Sequence, residues 1–232
     1  MNQKGMPVTL DGAEVKELRA LSMNELYTHW QRHVRLEHAD WAYRVLETLY
    51  GSDPMRAYHT LAHIDECLHK LDALAADQPE GKLDRDLASL ALIFHDAVYV
   101  PGHPDNETNS AALLDGLRFT LNDETRAGAA APLIFATRHK AEEGAFGDVT
   151  CAAVVDIDLS VLGRDSAGYA DYVRLVRREF AHVSDVAWRV GRSGFLTQML
   201  SRKRIYTLAA MRADFEANAR ANMSAELSHL TK

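Results

Sequence analysis

Apolar residues recur at three- and four-residue intervals along most of this chain, the spacing that gathers them on one face of an α-helix. The pattern sets in at Ser22, with Ser22 or Asn24 placed to cap "ELYTHWQRHV". Trp30, Trp41 and Leu46 carry it through two segments that end at Tyr50-Gly51, before the turn "SDP". A third segment begins near Tyr58, with Leu61, Ile64, Leu68 and Leu71 in step, and stops before the loop "ADQPEGK". Leu87, Leu90, Phe94 and Val98 predict a fourth helix reaching Pro101-Gly102, and Asn106 or Thr108 is placed to cap a fifth, "NSAALLDGLRF".

All six prolines lie at or before Pro132, so long helices are permitted beyond it, and "YADYVRLVRREF" and "RKRIYTLAAMRADFEANARANM" carry the helical pattern. "DVTCAAVVDIDLSVLG" is ambiguous: its Val and Ile suit a strand, yet its neighbours are helical. No linker, repeat or low-complexity tract interrupts the chain. The expectation is one all-α domain over residues 22–232, behind an N-terminal extension over residues 1–21 that is partly disordered.

Charge narrows the partners. Lys and Arg number 26 against 33 Asp and Glu, a net charge of −7 that argues against a nucleic-acid or membrane-binding face. Two cysteines in no close motif, no membrane-length apolar run and no signal-peptide core point to the cytoplasm. A homodimer is expected only from how common dimers are among soluble enzymes. Histidine, with 11 copies, is the outlier and points to a site.

His59 and His63 in "YHTLAH" share a face if both are helical, as two imidazoles on one metal would. Zinc proteases place a Glu directly after the first such His; Thr60 stands here, which argues against a metalloprotease. The plainer reading is a pair of surface histidines. His95-Asp96 closes the apolar run "LALIF", where unpaired polar groups would be costly and where imidazole and carboxylate suit a divalent cation. Adjacent helical residues diverge by about 100°, so this doublet reaches one ion only near a helix end or a cleft. His139, Asp156 and Asp158 are further candidates, and spacing does not choose between the two aspartates. "DNETNSA" reads equally as a helix start or as a source of catalytic carboxylates. Arg138, Lys140, Arg174, Arg177, Arg178, Arg192, Arg202, Lys203 and Arg204 read mostly as solvated helix faces. Arg138, beside His139, is the best phosphate clamp among them, and Arg177 the next. Trp30, Trp41 and Trp188 read as core.

The order His, His-Asp, distant Asp resembles the HD superfamily of metal-dependent phosphohydrolases. "RAYHTLAHI", "FHDAVYVPGHPDNETNSA", "DIDLSVLG" and "GRSGFLTQMLSRKRIY" look like a bacterial branch of it, from about Trp30 to the C-terminus. The resemblance implies an HD-type helical bundle holding a divalent ion (Mn, Mg, Zn, Fe or Ni). It implies His63, His95, Asp96 and Asp158 as ligands, the last favoured because it precedes a Leu, with Asp156 behind them. His59 would be an extra ligand or, like His139, a substrate contact. Well-known members carry an acidic residue within a turn of the doublet. Ala97-Val98-Tyr99 offers none, so that role falls to Asp105 or Glu107. The implied reaction is hydrolysis of a small phosphorylated metabolite or nucleotide by metal-activated water. Asp96 would orient that water and Glu107 would carry a proton. Two other classes stay open: a di-iron oxygenase, with His59 and His139 joining the ligands, and a module that binds metal and nucleotide without turnover.

Overall fold

Two helices buried on every side along most of their length lie at the centre of the molecule. In the computed structural model, which describes residues 26–77, 82–139 and 148–231, these are α4 (Arg85–Phe94) and α7 (Val149–Asp158). Every residue of α4 from Ala88 to Phe94 is buried, as is every residue of α7 from Ala152 to Ile157. The expected extension over 1–21, the caps Ser22 and Asn24, and Lys140 lie outside the described residues.

Amphipathic helices sheathe this pair, each turning one stripe inward. α3 (Leu61–Asp77) and α6 (Thr125–Ala136) pack on both central helices, and α5 (Asn106–Gly116) packs on α6. A first helix, α1 (26–33), and α2 (Ala39–Gly51) bring Trp30, Leu46 and Tyr50 to the same core. On the far side α8 (Ser166–Glu179) and α9 (Asp185–Ser201) pack against α11 (Ala217–Leu230). The all-α expectation holds: the described residues contain no strand, and their β pairing is the single bridge Val34–Leu121.

The ambiguous stretch is therefore helical. A helix buried on all sides has no polar face to reveal its period, and Asp148 starts α7 by accepting from Cys151 N at 2.8 Å. The C-terminal pattern is not one helix. Between Ser201 and the short α10 (Ala209–Met211), Glu216 accepts from Ile205 N and Tyr206 N, and Asp156 accepts from Thr207 N and Leu208 N. Those carboxylates take the amides a continuous helix would use. α10 then passes through a π turn, Arg212–Glu216, into α11. Gly163 sits against that turn: a Cβ there would stand 2.5 Å from Phe215 Cβ. Trp30 is core as expected, but Trp41 is 46% exposed.

A polar string threads this apolar interior. His33 Nε2 lies 3.1 Å from Ser89 Oγ, which lies 3.4 Å from His29 Nδ1, and His29 Nε2 lies 3.1 Å from Asp72. Burial pushes the His33 pKa down to about 4. The unfolded chain takes a proton near its ordinary 6.5 and the folded chain only near 4, so stability present above that ordinary value is lost as pH falls through this window. His33 alone is expected to cost about 2 kcal/mol of stability between about pH 7 and pH 5. Urea denaturation of wild type and His33→Gln at both values checks this; an equal loss in the two proteins would remove the assignment.

Candidate metal centre

α4 stops at Phe94, short of Val98 and of the expected end at Pro101-Gly102. Three side chains from two other segments, that of Arg56 and two from α5, hold the backbone in a turn there. The buried Arg56 guanidinium donates to Leu49 O at 2.8 Å and to Asp96 O. Ser110 Oγ accepts from Val98 N at 3.0 Å. Asn106 spends its amide on both backbone groups of Val100, at 2.9 Å each, and so is no helix cap. His95 and Asp96 are thus freed from the divergence a helix imposes.

Three further segments deliver partners. His63 lies in the first turn of α3, and Asp158 is the last residue of α7. His63, His95 and Asp96 each offer a ligand atom, all within 4.8 Å of one another. Asp158 Oδ1 lies 3.3 Å from His63 Nε2 and 3.4 Å from His95 Nε2. His139, on α6's C-terminal side with a left-handed φ of 55°, places Nε2 2.8 Å from Asp158 Oδ2.

His95 tests whether this group suits a cation. Its Nδ1 donates to Leu92 O at 2.8 Å, which leaves the lone pair on Nε2. That Nε2 is buried with no hydrogen bond, although Asp96 Oδ2 lies 3.0 Å away. Close approach without hydrogen-bond alignment is what ligand atoms aimed at a common point produce. Both carboxylates also stand at helix C-terminal ends, where the helix dipoles disfavour negative charge. Burial raises the pKa of each, but neighbouring imidazoles, His95 foremost, outweigh it and hold both well below the usual carboxylate range. Burial pushes His95 down, and Asp96 and Asp158 override it and raise its pKa well above normal, so without a cation a proton occupies the Nε2 position that a metal ion would take. The cluster demands positive charge, and its donors suit a hard or borderline divalent ion.

The expected pairing of His59 and His63 on one helix does not form, because α3 begins at Leu61. His59 is held by Glu179, the last residue of α8, which is 1% exposed. Glu179 Oε1 accepts from Ala57, Tyr58 and His59 N at 2.8, 2.8 and 3.0 Å. Its Oε2 lies 2.7 Å from His59 Nδ1 and accepts from Tyr99 OH at 3.1 Å. Burial opposes ionisation of Glu179, but His59 and the backbone donors bring its pKa down to about 2. Burial likewise lowers His59, and Asp96 and Glu179 outweigh it, so its pKa is raised. With Nδ1 engaged, Nε2 is the nitrogen His59 offers to the adjoining cavity, whose wall it helps form.

That cavity, of about 480 Å³, is also lined by Asp96, Asp158, His139, Glu107 and Arg138. Arg138 Nε lies 3.3 Å from Glu107. Asp105 is exposed and does not line the cavity. Arg177 does not line it either: it donates to Phe180 O, Val183 O and Asp185, closing the C-terminal end of α8. Asp156 faces Thr207 and Leu208 instead of the cluster, and burial raises its pKa to about 6. Glu179, Arg56 and Tyr58 went unnoticed in the sequence. Nothing local marks Glu179, which lies 120 residues from the histidine it orients. No family model, curated protein or solved structure matches this chain.

Proposed function

We propose that this protein is a divalent-metal-dependent hydrolase of small phosphate esters. The observation that carries the reading is the buried, unbonded His95 Nε2, facing His63, Asp96 and Asp158, the last two of which line the cavity. His63, His95, Asp96 and Asp158 would hold the ion, with His139 fixing the second oxygen of Asp158. Bound there, a divalent ion supplies a water of lowered pKa and neutralises charge on a phosphoryl oxygen.

The remaining chemistry belongs to the chain. Arg138, aimed by Glu107, sits in the cavity wall where it can grip a phosphate oxygen. Tyr58 OH, buried and without a hydrogen-bond partner, adds a donor from the same wall. His59 is held through Nδ1 and delivers a proton from Nε2 to the departing oxygen, with Glu179 as its positioning residue. This gives His59 the proton role that the sequence assigns to Asp105 or Glu107.

Elemental analysis, paired with a phosphate-release screen over phosphorylated metabolites with Mn, Mg, Zn, Fe and Ni, tests the reading. One ion per chain and release abolished by a chelator are expected. Two irons per chain with oxygen uptake and no phosphate release would replace it with an oxygenase.

A further inference from the structure

We propose that the phosphate ester taken by this site carries an uncharged apolar group of aryl or fused-ring size, instead of a sugar or further phosphates; this inference rests on the hydrolase reading above. The cavity lining changes character along the chain. Residues from Tyr58 to Asp158 bring its imidazoles, its carboxylates and Arg138. From Leu159 onward the wall is built by the 3-10 turn Leu159–Gly163, α8, α9 and the connection between those two helices, which together supply Leu162, Val176, Phe180, Val183, Trp188 and Phe195.

The charged residue of that second wall is Arg192, and it is already satisfied. Its Nε and Nη2 lie 2.9 and 3.0 Å from the Glu226 carboxylate, and Nη1 donates to Tyr172 OH at 3.2 Å. The guanidinium also packs over the rings of Tyr172 and Phe195, each at 5.2 Å. A second phosphate reaching this wall would meet a cation neutralised by its own carboxylate. Sugar hydroxyls would lose water there without gaining comparable partners. An apolar ring gains by leaving water and finds Phe180 and Trp188, whose centroids lie 5.4 Å apart. A volume of about 480 Å³ lies in the usual range for small-molecule sites.

The test compares 1-naphthyl phosphate with glucose 6-phosphate on the metal-loaded protein. A kcat/KM ratio of at least about tenfold in favour of the naphthyl ester is expected. Trp188→Ala is expected to narrow that ratio about fivefold and Trp188→Phe to restore most of it. A ratio near one, or a ratio untouched by Trp188→Ala, would overturn the proposal. Calorimetric binding of 1-naphthylphosphonate against methylphosphonate separates this inference from its premise. Preference for the naphthyl compound without hydrolysis of either ester keeps the ligand class and removes the hydrolase. Hydrolysis of both esters with equal binding of both phosphonates keeps the hydrolase and removes the ligand class. Equal binding with no hydrolysis removes both.

Discussion

Asp96→Ala is expected to purify with less than about a tenth of the wild-type metal and to lose at least about a thousandfold in turnover, a barrier increase of about 4 kcal/mol. Asp96 Oδ2 lies 3.0 Å from His95 Nε2 and 3.9 Å from His63 Nε2, so its loss removes both a proposed ligand and half the negative charge facing the imidazoles. Binding to the folded state alone also stabilises it, by about 3 kcal/mol at a hundredfold excess over Kd. Added metal should therefore raise the Tm of wild type and leave that of Asp96→Ala unmoved. Two companions sharpen the result. Asp156→Asn should keep its metal, because Asp156 serves Thr207 N and Leu208 N. Glu107→Gln should keep its metal and lose rate, because Glu107 acts through Arg138. Metal retained by Asp96→Ala, or lost equally from Asp156→Asn, would refute the ligand assignment.

Glu179→Ala is expected to destabilise the fold by about 3–5 kcal/mol, the range for removing one partner of a buried, hydrogen-bonded charge. Three backbone amides and two side chains converge on that carboxylate and would be left without an acceptor. Glu179→Gln is the informative variant. Its oxygen can still serve the three amides, but its NH2 would face the Nδ1–H of His59 and the Tyr99 hydroxyl with no lone pair to offer. Metal content should be preserved, since Glu179 is no ligand, while kcat falls about a hundredfold. The pH profile carries the sign. Glu179 helps hold the His59 pKa above normal, so its neutralisation lowers that pKa. A proton donor of lower pKa empties sooner as pH rises, and the alkaline limb of kcat should move to lower pH. Loss of rate with an unshifted limb would mark Glu179 as structural only.

Helix content was legible because most helices here are amphipathic, and a 3.6-residue period needs only local residues to be read. Where that asymmetry vanished, legibility failed. α7 reads as strand or helix because Val154, Val155 and Ile157 are buried along with the residues between them. α4 was read as running on to Pro101-Gly102 because Val98 keeps the apolar spacing after the helix has ended. The break at 202–208 was hidden because its cause is a pair of carboxylates, Asp156 and Glu216, reaching in from elsewhere.

The site divides the same way. In the sequence, His95, Asp96 and the pair Asp156 and Asp158 stood out as polar residues closing apolar runs, and His63 by its spacing from His59; only the family resemblance favoured Asp158 over Asp156. Their convergence was not visible there. It depends on Arg56 and Ser110 pinning the turn after Phe94, and on α7 ending beside that turn. His59 illustrates the limit most clearly. By spacing it belonged with His63, and by structure it belongs with Glu179, 120 residues on. The amino-acid order alone determined an all-helical chain and the residue types able to hold a cation, because periodicity and side-chain chemistry are local properties. Packing alone decided which carboxylates face the imidazoles and which cap a backbone, because hydrogen-bond partners are chosen by distance in space, and distance along the chain does not predict it.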